Sequence, residues 1–369
     1  MGLVLHDFHR RLGASFGVVN DCETVSDYGS ALAEYTALRS SVGVLDLGFR
    51  SRLCLLGADR ERLLHGQVTN NVKALRVGQG VYAALVSAKG RLESDLNIYR
   101  LQDEFLLDFE PGLTAAVTRR FEGFIIADDV QVVDVAPHFG LFSVQGPLAG
   151  EVMEKFLPGV ALPAQPFACA HLNDPTRGDR YVMNQPRTGA PGFDLFVPAA
   201  GLEATAVELG GVAGSVGGRW CGWEALELAR IEAGIPRFGQ DMDATNLAPE
   251  AGIEARAISY SKGCYIGQEV IARIRTYGQV AKALRGLRLP DDLPTLPVKG
   301  QPLFKDGREV GYVTSAIRSP ALNANLAMGY VRREHNQVGT ELVLKTDAAP
   351  YAVKVVSLPF SADSHPEAR

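Results

Sequence analysis

The sequence predicts an α+β protein that ends in a small β-barrel or sandwich, and three observations carry that prediction. In the first part of the chain the periodicities are mixed: 31–39 and 59–65 read as helices, whereas 81–86 and 96–101 read as strands flanking a Lys89-Gly90 turn. Between Pro290 and Pro302 four prolines (Pro290, Pro294, Pro297 and Pro302) interrupt strand-like segments and mark a boundary. Beyond it come short alternating runs separated by turn signals: Phe304 before Asp306-Gly307, then 310–314, 326–331, 339–344 and 351–356.

Between these parts lies K-G-C-Y-I-G-Q-E, from Lys262 to Glu269. Upstream, 256–261 (R-A-I-S-Y-S) alternates like a half-buried strand, and over 265–276 the apolar residues Ile266, Val270, Ile271 and Ile274 share one helical face. The octet then forms a tight strand-to-helix turn, with Gly263 and Gly267 free to take left-handed backbone angles. Cys264 would sit near a helix N-terminus, two residues from the ammonium of Lys262. Both favour thiolate over thiol, which makes Cys264 the functional thiol and Lys262 its activator. The alternative is a small residue in a structural turn. Cys54 and Cys169 instead lie in apolar, strand-like runs where burial keeps a thiol inert.

Composition excludes several classes. The 369 residues are enough for two or three domains, and 46% hydrophobic content describes a well-cored chain. Five cysteines without a C-x-x-C argue against a disulfide framework and against a local zinc or iron–sulfur ligand set. The seven histidines show no metal spacing, so no metal site is expected, although His65 could face a cleft. A net charge of -5 gives no global drive toward nucleic acid, and the basic residues Arg273, Arg275, Lys282, Arg285 and Arg288 read as a solvated helix face. The first ten residues lack a long apolar run and a basic start. No signal peptide or membrane span is expected, and a cytoplasmic location follows as an expectation.

The octet, followed by Ala272-Arg273 and Gly278, resembles the signature of the YgfZ-type folate-binding proteins, relatives of the glycine cleavage T-protein, an aminomethyltransferase. Further segments extend the resemblance: Gly43 to Leu47, Leu63 to Gly80, Val144-Gln145-Gly146-Pro147, and L-A-R-I-E-A-G-I-P-R-F-G-Q-D from Leu228 to Asp241. L-A-M-G-Y-V at 326–331 is similar to the C-terminal barrel of that family. The resemblance implies a T-protein-like folate-binding region over 1–285, two interleaved α+β domains, then a barrel over 286–360 and a flexible tail at 361–369.

It also implies tetrahydrofolate or a derivative as cofactor. A folate site needs a carboxylate for the pterin N–H donors, a wall for the ring and cations for the glutamate tail. The residues that match the family's folate side are Tyr82, Asp95 (within G-R-L-E-S-D-L, similar to the family's G-G-x-x-D-D-L), Asp194, Arg230 and Glu232. The resemblance further implies that an aspartate at this turn is tied to one-carbon release, which makes Asp95 a candidate catalytic residue as well. Trp220 and Trp223 would cover the stem of Arg230, and Asp241, Asn246 and Glu250 would lie close to Cys264. Two departures stand out. Ser94 replaces the first aspartate of the pair, and T-G-A-P-G-F-D at 188–194 lacks the glutamate of the family's T-G-E motif. They lead to an expectation of folate binding without turnover. The resemblance accordingly implies a protein that supports iron–sulfur cluster assembly or repair, and through it tRNA modification, with assembly factors or client iron–sulfur enzymes as partners. The alternatives are a tetrahydrofolate-dependent aminomethyltransferase of glycine cleavage and a folate-dependent demethylase module.

Overall fold

The computed structural model describes residues 2–346 and 349–361. The tail expected at 361–369 lies, apart from Ser361, outside them. The chain forms two compact units, each assembled from three stretches. The first comprises 2–85, Ser94–Ala229 and Ala257–Ile266; the second comprises Val86–Glu93, Arg230–Arg256 and the described residues from Gly267 onward.

The first unit is built on two sheets. One has five strands in the order Gln79–Val86, Leu92–Arg100, Phe105–Phe109, Ser51–Leu56, Gln131–Asp134. Alternation of side chains along a strand explains its two faces. Leu96 and Ile98 pack with Leu53, Phe105 and Leu107 against Leu64, Val117 and Phe121 of the helices Arg60–Gln67 and Thr114–Glu122. The intervening positions Asp95, Asn97 and Tyr99 point the other way, toward the second sheet. That sheet orders six strands as Cys169–Asp174, Gly178–Asn184, Gly192–Pro198, Phe139–Gln145, Gly43–Asp46, Arg219–Trp220. Its outer face buries Phe142, Val144, Val182 and Leu195 against Val152, Phe156, Ala206 and Leu209 of the helices Ala149–Phe156 and Leu202–Gly214. Its inner face sets Leu45, Leu141, Met183 and Phe196 in one core with Cys54, Tyr99 and Leu106 of the first sheet.

The second unit carries a closed barrel of six strands: Lys282–Arg288, Ala324–Arg332, Arg308–Ser319, Pro302–Lys305, Glu341–Lys345 and Pro350–Val356, the last pairing back onto the first. Leu287, Leu303, Val313, Leu342 and Val355 fill it. Five of these strands match the short alternating runs of the sequence. The sixth, Lys282–Arg288, lies upstream of the prolines. Its K-A-L-R-G-L-R alternation is weak because Gly286 sits where a side chain would meet the Phe360 ring at 2.8 Å and Ser357 O at 2.9 Å.

The surroundings of the octet differ from expectation. Residues 256–261 form no strand: Glu254–Ala257 is a helical turn, consistent with the helix propensity of E-A-R-A, and the chain then runs irregularly. The next helix is Gln268–Tyr277, starting three residues later than its apolar pattern. Gly267 sets that start, at φ 82°, where any Cβ would lie 2.5 Å from Ser87 O. No helix among the described residues is long and apolar enough to cross a membrane.

Candidate active site

Asp95 and Tyr82 come together in the first unit. They stand on neighbouring strands, and the Tyr82 hydroxyl donates to Asp95 Oδ2 at 2.9 Å. The other carboxylate oxygen, Oδ1, is sealed from solvent and has no hydrogen-bond partner among the described residues. Burial is the main force on this group, and the neighbouring charge of Glu110 acts in the same direction, pushing the Asp95 carboxyl up to about 6. The result is an acid–base group poised near neutrality with one acceptor in reserve. Other sealed and unmatched atoms in the same unit are Asn71 Oδ1, His65 Nδ1 and Thr188 Oγ1.

A charged network continues across the inner faces of the two sheets. Arg50 donates to Asp108 from Nε at 2.7 Å and from Nη2 at 3.2 Å, and to Glu110 from Nη1 at 2.6 Å. Asp108 also accepts from Asn97 at 2.8 Å and from Arg187 at 2.8 Å. The two guanidiniums hold its carboxyl well below the usual range against the cost of burial. Arg187 grips Asp194 in turn, at 3.1 Å to each oxygen from Nε and 2.5 Å from Nη2, and Ser143 donates to Asp194 at 2.7 Å.

Asp194, expected as a ligand-binding acid, is engaged within the fold. Its oxygens are taken by Arg187 and Ser143, and it is fully buried as part of the framework. Arg230 and Glu232, also expected on the folate side, belong to the second unit and have partners there. Arg230 pairs with Asp241 and reaches Ser315 at 3.1 Å, while Glu232 accepts from Ser319. Trp220 packs on Phe8, His9 and Phe142, and Trp223 on Phe49, all within the first unit. Asp241, Asn246 and Glu250 likewise belong to the second unit, and Cys264 to the first.

Cys264 and Lys262, expected as functional thiol and activator, are placed differently from one another. Cys264 is exposed and stands four residues before the first helical residue, beyond the turn over which a helix dipole acts. Lys262 is buried. Its ammonium donates to the carbonyls of His65 and Val68, both at 2.6 Å, and lies 4.9 Å from the centre of the Tyr265 ring. Desolvation, joined by Lys73, brings its pKa down to about 7. Lys262 thus ties the octet to the 65–68 segment. His65 is itself held neutral, down to about 4, by burial and by Lys262. The other expectation about cysteines agrees with the geometry: burial raises the Cys54 thiol and pushes Cys169 up to about 11. The supposed basic helix face is divided, since Lys282, Arg285 and Arg288 lie on a barrel strand. Among the described residues no group of three or more His, Cys, Asp or Glu is placed to hold a metal.

What sequence reasoning missed are Arg50, Asp108, Glu110 and Arg187. Their partners are up to 79 residues apart, and no local pattern announces such pairs. The only available signal was a charge at an inward-alternating position, as at Asp108 in F-L-L-D-F.

A two-sheet unit with an acid–base carboxyl on its inner polar face, followed in the same chain by a closed six-stranded barrel, defines a T-protein type of molecule. Residues 5–262 match the GCVT N-terminal domain and residues 282–361 the glycine cleavage T-protein C-terminal barrel domain. The chain belongs to the glycine cleavage T-protein family. It is 29% identical to the aminomethyltransferase of Symbiobacterium thermophilum over 98% of this chain and 97% of that one, and 28% identical to that of Saccharopolyspora erythraea, covering 96% of each. The crystal structure of the glycine cleavage system aminomethyltransferase T from Bartonella henselae has the same fold, with a TM-score of 0.88 at 24% identity over 98% of both chains. These findings overturn the expected iron–sulfur role: relatives that match along nearly the whole chain, such as the first two, are named aminomethyltransferases.

Proposed function

We propose that this chain is a tetrahydrofolate-dependent aminomethyltransferase. Aminomethyltransferases of this family use tetrahydrofolate, which accepts the one-carbon unit as ammonia is released. The observation that carries the reading is Asp95, with a raised pKa, a Tyr82 hydrogen bond on one oxygen and an unmatched acceptor on the other. An unmatched buried acceptor is costly unless a ligand donor meets it. That supports Asp95 as the group that would hold an N–H of the folate and move a proton during transfer, with Tyr82 orienting it.

The departure at position 94 does not argue against turnover. Residues 94 and 95 are consecutive on one strand and so face opposite sides. Ser94 is fully buried and donates to the carbonyl of Asp95. Its presence removes no carboxylate from the face that carries Asp95. The decisive experiment is tetrahydrofolate-dependent ammonia release from an aminomethylated carrier protein. Turnover in the ordinary enzymatic range of about 1 to 1000 per second is expected; tetrahydrofolate binding without ammonia release would refute the reading.

A further inference from the structure

A cavity of about 690 Å³ lies wholly within the second unit, apart from every residue assigned to Asp95 and its surroundings. Its walls come from 233–236, 251–256, the barrel strand at Leu284 and Arg285, and the segments 336–338 and 357–359. Ile235, Leu284, Val338 and Leu358 make one part apolar, and Arg256 and Arg285 supply cations. None of the fifteen lining residues, all of them described, is Asp or Glu.

Arg285 is the informative member. It is half-buried, its Nε donates to Asn336 O at 3.0 Å and its Nη1 to Leu284 O at 3.2 Å, and no carboxylate pairs with it among the described residues. Other arginines of this unit behave differently: Arg288, on the same strand, bonds Asp291 at 2.6 Å, and Arg230 pairs with Asp241. Desolvation without an acid to offset it lowers the pKa of Arg285. A guanidinium offers five donors, so the two carbonyl bonds fix its plane and leave further N–H groups for a ligand. We propose that this cavity binds an organic anion, a carboxylate or phosphate carried on an apolar body. The volume falls in the range of roughly 300–1,000 Å³ that small-molecule sites occupy. An arginine fork suits either oxyanion, and the apolar wall would take the rest of the molecule.

Phenyl phosphate and phenylacetate, titrated calorimetrically into the full-length protein, test this. At least one should bind with a Kd at or below about 1 mM, and Arg285→Gln and Val338→Glu should each weaken it by about tenfold or more. Val338 is 66% exposed, so Val338→Glu brings an acid to the cavity without disturbing the core and keeps the test readable if Arg285→Gln misfolds. Binding of phenyl phosphate alone identifies a phosphate ester as the ligand class, and of phenylacetate alone a carboxylic acid. Absence of heat from both probes at about 10 mM, or an affinity unchanged in either folded variant, overturns the proposal.

Discussion

Asp95 owes its chemistry to its place on a strand whose even-numbered neighbours serve the core, so that a carboxyl is held in a dry environment opposite a tyrosine hydroxyl. A folded pKa near 6, above the usual carboxylate value of 3.8, sets the pH dependence. If the ionised form is the base, transfer rises with pH through about 6. The same shift makes folding less favourable as pH climbs from 3.8 to 6, since the native state holds its proton longer. Asp95→Asn should lower kcat by about 100-fold or more, as expected on losing a positioned acid–base group. In Tyr82→Phe the hydrogen bond that favours the ionised form is gone, so the acidic limb of kcat/KM against pH should move upward; a limb that stays in place would separate Asp95 from the rate. Cys264→Ala is the contrasting case. Cys264 is exposed and Lys262 is turned to backbone carbonyls, so ammonia release should stay within about twofold of the parent, inside the error of a typical surface substitution. Loss of turnover in Cys264→Ala would restore the cysteine to the site. The sequence could reveal the octet and Asp95 because their motifs are local. It could not reveal that Lys262 turns to carbonyls nearly 200 residues upstream, nor that Asp194 is already gripped by Arg187.

At the scale of elements, the inner faces of the two sheets are joined by ions as well as by the apolar core around Leu141 and Leu106. Arg50, Asp108, Glu110, Arg187 and Asp194 sit at 10% side-chain exposure or less. Buried ions are tolerated only as a completed set, and removing one member strands the rest. Asp108 is the shared acceptor, so Asp108→Asn should cost about 3 kcal/mol in urea denaturation, the lower end of the range for breaking a buried pair, because Glu110 and Asp194 still hold the two arginines. The sign of its linkage is clear: a carboxyl with a depressed native pKa stabilises the fold above pH 3.8, and that contribution fades as pH falls through the native value. The parent's acid-unfolding midpoint should therefore be lower than that of Asp108→Asn at matched ionic strength. Equal midpoints would show that the network is indifferent to this carboxylate. Strand and barrel patterns were legible from alternation and turn residues, as with Asp306-Gly307 and 326–331. Two misread segments turn on a single glycine, Gly286 masking a barrel strand and Gly267 delaying a helix, whereas 256–261 was misread because its alternation hid the helix propensity of E-A-R-A.

For the whole molecule, the interleaving of the chain gives the two proposals separate signatures. The unit with Asp95 is composed of three stretches, and so is the unit with the Arg285 cavity. A ligand that binds only the native state adds RT ln(1 + [L]/Kd) to the free energy of any opening that releases it, about 2.7 kcal/mol at a hundredfold excess over Kd. Openings that leave the site intact gain nothing. Tetrahydrofolate should accordingly slow amide exchange in Gln79–Val86, Leu92–Arg100 and Phe105–Phe109, the strands that hold and surround Asp95. The organic anion should slow it in Lys282–Arg288 and around 336–338. Hydrogen-exchange mass spectrometry with each ligand separately reads both patterns from one protein. Tetrahydrofolate protection concentrated in 282–356, with 79–109 unchanged, would move the folate site away from Asp95 and leave the assignment of the family untouched.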